Sequence, residues 1–256
     1  MTAAGLPVDL VLGYVLAIVR TAAWLAVAPP FNTRMVPAPA KVGLAIALAV
    51  PVGPVVARTA PPPEVAPLVM AVLLQIAVGL SLGLVVQIVF AAAQAAGELI
   101  DLFAGFTIAA TYDPFTNANQ AVFGRFYQLL ATALLFATGG HLLLVQGLLD
   151  SFAVVPSGVP DMTATTGELL DALGLFFVSA LEIAAPLLGA LFLTELALGL
   201  LSKAAPQMNV LTLGFPIKIL LTLLLAGLAL PLLPDAVRGL VGAASDSGTA
   251  VVGAFS

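Results

Sequence analysis

The chain has 256 residues, 61% of them apolar and only 8% charged, with a mean hydropathy of +1.17. A soluble domain carries about 25% charged residues, so 8 basic and 13 acidic side chains cannot form a water-facing skin, and the surface must face lipid or other subunits within lipid. The net charge of −5 excludes a nucleic-acid binder; the lack of Cys excludes disulfides, and a single His leaves no ligand set for structural zinc.

Six apolar stretches follow one another: 6–28, 42–57, 65–96, 126–149, 172–201 and 219–233. Their uninterrupted length excludes the short alternating strands of a transmembrane barrel. An all-α integral membrane protein is predicted, with one membrane domain over 1–256. The first stretch carries Asp9 and no basic n-region, so no cleavable signal peptide is expected. The connection 29–41 holds Arg34 and Lys41, and the second stretch contains Pro51 and Pro54. In the third, Gln75, Gly79, Gly83, Gln87, Ala91 and Ala95 recur at every fourth residue, and Gly79 with Gly83 forms a GxxxG pair. Small residues let helix backbones approach closely, and Gln can hydrogen-bond across such a contact. Packing inside the chain and contact with a partner subunit both fit this pattern.

The connection 97–125 is expected to be a long, strongly patterned loop. Glu98 and Asp101 stand three residues apart on one helix face beside Gly105. They could form a carboxylate pair for proton relay or acid–base chemistry. The favoured alternative is a helix end near Arg125, solvated or paired, because no nucleophile or metal ligand lies nearby. Within 105–119, Asp113-Pro114 signals a turn, yet Phe106, Ile108, Tyr112 and Phe115 are too apolar for a freely solvated loop. A loop of that length is a lid or binding element unless it is disordered, and the apolar content speaks against disorder.

The fourth stretch is the clearest span, since about 24 helical residues reach ~36 Å. His141 within it is either a proton switch or, as favoured, hydrogen-bonded to a neighbouring helix. The connection 150–171 is purely acidic, and the fifth stretch contains Glu182, Pro186 and Glu195. Glu195 and Lys203 lie two turns apart on one helical face. They are expected either to pair or to leave Lys203 solvated at the helix end. The last stretch follows Pro216 and contains Pro231, and its roughly 15 residues make ~22 Å of helix, short for the hydrocarbon core. Broken or charged helices at membrane depth need neighbouring protein or a watery cavity, which points to a subunit buried among other helices. Arg34, Lys41, Arg125, Lys203 and Lys218 fall in alternate connections, so the positive-inside rule puts both termini outside the cytoplasm. No GxSxG, phosphate loop or dinucleotide fingerprint stands in the chain. An enzyme is not expected, nor any catalytic residue, metal or cofactor.

Several pieces stand in a specific order. Near the start are Arg20, Pro29-Pro30-Phe31, Val36-Pro37 and Lys41-Val42. In the middle are Ala96-Gly97-Glu98-Leu99-Ile100, Gly105-Phe106, Asp113-Pro114 and Gly140-His141-Leu142, then Ser151-Phe152 and Pro156-Ser157-Gly158. The most specific run is Leu198-Gly199-Leu200-Leu201-Ser202-Lys203-Ala204-Ala205-Pro206-Gln207-Met208-Asn209-Val210, followed by Gly214-Phe215-Pro216-Ile217-Lys218. In these, from about 20 to 231, the chain resembles the flagellar biosynthetic protein FliR family, homologous to the T-type export-gate subunit of type III secretion systems. Asn32 stands where that family commonly has Gly, and the tail after Pro234 follows no family pattern.

The resemblance implies a non-enzymatic subunit of the bacterial type III (flagellar) protein export gate, in the inner (cytoplasmic) membrane at the flagellar basal body. It implies assembly with P-type and Q-type (FliP-like, FliQ-like) subunits, and association with the B-type switch subunit and the A-type subunit. Unfolded export substrates would pass through a central pore around which the helices coil, partly raised out of the bilayer. The family's plug loop would fall within 105–119, giving gating roles to Gly105, Phe106, Thr107, Ile108, Tyr112, Asp113 and Pro114. Glu98, Asp101, His141, Glu195, Lys203, Pro206, Gln207 and Asn209 are expected as buried polar groups serving assembly, and Gly79 and Gly83 as helix-packing positions. The alternative function is a stand-alone secondary transporter of a small solute. It would need a polar binding cluster repeated in two halves, and the chain shows no internal repeat.

Overall fold

The computed structural model describes residues 7–33, 36–106, 122–155, 162–205, 207 and 210–253. They form helices α1 (Val8–Val27), α2 (Ala38–Ala57), α3 (Val65–Ala104), α4 (Val122–Ala137), α5 (Gly140–Val154), α6 (Met162–Ala204), α7 (Val210–Ala229) and α8 (Leu233–Gly253), with a 3-10 turn at Leu230–Leu232. No strand occurs among the described residues, and the class is all-α, as predicted. Five helical stretches are long and apolar enough to cross a membrane, or six when α4 and α5 count together as one broken span. The chain is an integral membrane protein.

Hydropathy locates these spans well, but their ends and breaks differ from expectation. The stretch 126–149 is not one helix: α4 ends at Ala137, Gly139 takes φ +74°, and α5 starts at Gly140. A glycine adopts that left-handed backbone without a Cβ clash, so the run breaks there although it stays apolar. Conversely, α2 continues through Pro51 and Pro54, α6 through Pro186 and α7 through Pro216. Both ends of the expected loop 97–125 are helical, because α3 runs on to Ala104 and α4 begins at Val122, and 107–121 lie outside the described residues. Likewise the acidic connection 150–171 is mostly helical at both ends, with Glu168 and Asp171 on α6. The tail after Pro234, which carries no readable family pattern, forms α8 as far as Gly253. It buries Val237, Leu240, Val241, Ala244, Val251 and Val252 while Asp235, Arg238, Asp246 and Thr249 stay exposed. Those buried positions recur with the helical period and make one apolar stripe.

The chain divides into two compact units. The first comprises Met1–Val89, Gly139–Gly174 and Val241–Ser256. Its core is built on α1, where Leu16, Ala17, Trp24 and Leu25 are buried. The four-residue stripe of α3 lies against α1 and the turn after it. A Cβ on Gly79 would overlap the carbonyl oxygen of Arg20, and one on Gly83 would meet the Trp24 carbonyl oxygen at 3.1 Å. At the two ends of the seam Gln75 bonds Arg20, and Asn32 Nδ2 donates to Gln87 Oε1 at 2.6 Å. From Gln75 to Gln87, then, the stripe is packing inside the chain. The end of α8 covers the same unit, since Ala244 and Gly248 line one small cavity with Trp24, Leu82, Leu144 and Leu148.

The second unit comprises Phe90–Thr138 and Leu175–Leu240. Its core joins Ala96 and Ile100 of α3, Phe123 and Tyr127 of α4, Ala184 and Leu187 of α6, Ala226 of α7 and Leu233 of α8. Phe106 packs on this core, its ring 5.7 Å from that of Phe123.

The α1–α3 seam makes a prediction. Gly79→Leu has no room and should cost about 1–3 kcal/mol or more, as overpacking does. Gly43→Leu on α2, where a Cβ meets nothing within 4 Å, should be tolerated. The level of each variant in membranes, and its resistance to protease, checks this.

Candidate functional site

Two ionisable side chains are fully buried among the described residues, Arg20 and Asp101. Each meets the end of a helix. Arg20 projects from the middle of α1. Its Nε donates to Gln75 Oε1 at 2.6 Å, Nη1 to the Ser151 carbonyl oxygen at 3.0 Å and hydroxyl at 3.2 Å, and Nη2 to the Val155 carbonyl oxygen at 2.5 Å. Its guanidinium also stands 4.3 Å from the centre of the Phe152 ring. Ser151 lies in the last turn of α5, where its carbonyl oxygen also accepts the Val155 N–H at 3.0 Å, and Val155 lies just beyond that turn. A cation there also meets the negative end of the helix dipole, worth up to about 2 kcal/mol in buried geometry. So Arg20 closes α5 and ties it to α1 and α3.

Asp101 does the converse at the start of α4. Its Oδ2 accepts the Gly124 N–H at 3.0 Å, and its Oδ1 has no hydrogen-bond partner. Gly97, one turn earlier on α3, makes this approach possible, because any Cβ there would overlap the Phe123 carbonyl and the Gly124 Cα. Asp101 therefore caps a helix from outside it, placing negative charge at the positive end. Glu98 is exposed and accepts a bond from Gln94 Nε2 at 2.8 Å, while Arg125 donates to Gln128 Oε1 at 2.6 Å. Neither the paired-carboxylate reading nor the solvated end beside Arg125 describes Asp101.

The remaining expected residues are scattered. Glu195 pairs with Lys218 of α7, not with Lys203. Eight residues along one helix separate Glu195 and Lys203 by ~12 Å of rise, whereas packing of α7 on α6 brings Lys218 across. Lys203 and Gln207 are exposed, as is Glu195, and His141 is half-buried in the first turn of α5. Gly105 closes α3 with φ +87°, and a Cβ there would meet the Phe215 ring at 2.9 Å. Thr107, Ile108, Tyr112, Asp113, Pro114, Pro206 and Asn209 lie outside the described residues. No group of three metal-ligating side chains occurs among the described residues. Arg20 has no role in the sequence until Gln75, Ser151 and Val155 are brought to it. The available signal is an arginine in the middle of an apolar run, where an ionisable group always needs a reason.

The described residues thus define a membrane protein whose buried charges hold helix ends together. Residues 11–244 match the family described as bacterial export proteins, family 1. The chain is 36% identical over 217 residues to the flagellar biosynthetic protein FliR of Pectobacterium carotovorum subsp. carotovorum, covering 84% of this chain and 83% of that one. It is 34% identical to the FliR of Escherichia coli (strain K12) over 222 residues, 86% and 85% of the two chains. With the FliR of Bacillus subtilis (strain 168) the identity is 32% over 219 residues, 83% of each. The chain belongs to this bacterial export protein family.

The geometry at Asp101 predicts a graded response. Asp101→Leu removes the acceptor of Gly124 N–H and should lower stability by about 1–2 kcal/mol, the cost of losing a cap. Asp101→Asn keeps an acceptor and should recover most of that loss. Thermal inactivation of each variant, followed by protease resistance in detergent, measures the difference; equal loss in both would contradict the capping role.

Proposed function

We propose that the chain is a subunit of the bacterial type III (flagellar) protein export gate and forms part of the channel through which unfolded substrates cross the inner membrane. Family membership over residues 11–244 carries this reading. The structure supports it in physical terms. Many large apolar side chains lie open on α6 and α7, among them Phe192, Leu193, Leu196, Leu200, Leu220 and Leu224. Beside them stands the Glu195–Lys218 pair, whose carboxylate is 62% exposed. Lipid alone is a poor neighbour for that carboxylate, so protein partners or a hydrated lumen should cover this face. The partners proposed are the P-type and Q-type subunits, with the B-type switch and A-type subunits beyond them.

Purification in gentle detergent tests the reading. P-type and Q-type subunits should co-purify, and the chain expressed without them should aggregate or be degraded. A well-behaved, solute-binding monomer would contradict it. The plug assigned to 105–119 is a proposal within the same reading. Gly105, with φ +87°, ends α3, and Phe106, which follows it, is seated on Phe123. Deleting residues 107–111 should leave assembly intact and make cells leak ions and grow poorly under ionic stress. If the deleted gate stays tight, the closure lies elsewhere.

A further inference from the structure

We infer that a cavity beside Arg20 in the first unit holds the headgroup of an anionic phospholipid. The starting observation is a charge without a counter-charge. Every acceptor of Arg20 is neutral: an amide oxygen, two backbone carbonyls and a hydroxyl. The ion pairs among the described residues are Glu195–Lys218 and Asp235–Arg238, and neither involves Arg20. Glu64, exposed in the turn after α2, makes no ion pair with it. The end of α5 contributes only about half a negative charge. A buried cation in a low-dielectric setting therefore still favours an anion nearby.

The second observation is a space of the right character. A cavity of about 290 Å³ is lined by Arg20, Gln75 and Thr59 with Leu16, Met70 and Leu74. Its lining combines these three polar residues with apolar walls, the two kinds of surface that a lipid headgroup and its acyl chains require. Its outer wall continues into open apolar surface, since Val69, Met70 and Leu73 are each more than half exposed. In a membrane-embedded chain that surface faces acyl chains, which favours a lipid over an acidic peptide or a free phosphate. The depth also fits. Thr59 follows the last turn of α2, a span by length and composition, so it marks the interfacial level. Gly13 of α1 packs on Ala57, which puts the Cα of Arg20 ~10 Å deeper along α1. Helical side chains lean toward their own N-terminus, which carries the guanidinium back from its Cα toward that level while the side chain stays fully buried. Arg58, exposed next to Thr59, adds a second cation at this level. Basic pockets between membrane helices recognise anionic headgroups in this way.

Native mass spectrometry of the full-length chain, purified with its assembly partners and exchanged into equal phosphatidylglycerol and phosphatidylethanolamine, tests the proposal. The wild type should retain phosphatidylglycerol in preference. Ala71→Trp, which fills the cavity and leaves Arg20 and its bonds in place, should lose that lipid while keeping its partners. Equal retention of the zwitterionic lipid, displacement by inorganic phosphate, or unchanged binding by Ala71→Trp would each overturn it. Failure here leaves the export reading intact, because the partners are scored in the same spectrum.

Discussion

A guanidinium in the middle of an apolar helix cannot be left without acceptors at membrane depth, and the first unit is arranged around that requirement. Arg20 needs four oxygens, and no single neighbouring helix offers them. One comes from Gln75 on α3, and three come from Ser151 and Val155 at the close of α5. Satisfying one side chain thus fixes three helices at a single level. The arrangement answers two problems together. Carbonyls at the end of a helix run out of helical N–H donors, and in lipid no water makes up for them. Neutral acceptors and a helix dipole are weaker than a carboxylate, but they carry no charge of their own that must be dehydrated.

Asp101 repeats the logic with the sign reversed. The stretch 126–149 is interrupted at Gly139, so its two helices have more ends to satisfy than one continuous span. The start of α4 takes its cap from α3 through Asp101, and Gly97 supplies the close approach. The end of α5 takes its cap from α1 through Arg20. Placing buried charges at helix ends lets a chain with 8% charged residues use a few of them structurally.

Much of this was legible from composition and pattern. Long apolar runs can be satisfied in lipid only as helices, so the all-α membrane class followed directly, and the boundaries of α1 and the end of α2 came within a residue or two. The break at Gly139 was not legible, because hydropathy does not register a backbone angle inside an apolar run. The prolines misled in the other direction: Pro51, Pro54 and Pro216 read as interruptions, yet α2 and α7 pass through them. Charge partners were the least accessible. Spacing along one helix suggested Lys203 for Glu195, whereas contact is made across helices, and a linear pattern does not say which residue of α7 faces α6. Gln75, Gly79, Gly83 and Gln87 announced a close helix contact, and only the fold identified α1 as the other side.

Arg20 organises the first unit through the end of α5. The most direct measurement is the temperature at which the assembled chain loses protease resistance, compared between wild type, Arg20→Lys and Arg20→Met. Methionine keeps the bulk but removes every donor that Arg20 supplies, so a loss of about 1–3 kcal/mol is predicted, lowering the midpoint by roughly 5 °C in a chain of this size. Lysine, with three donors on a more flexible stem, should fall between. A midpoint unchanged in Arg20→Met would contradict the account.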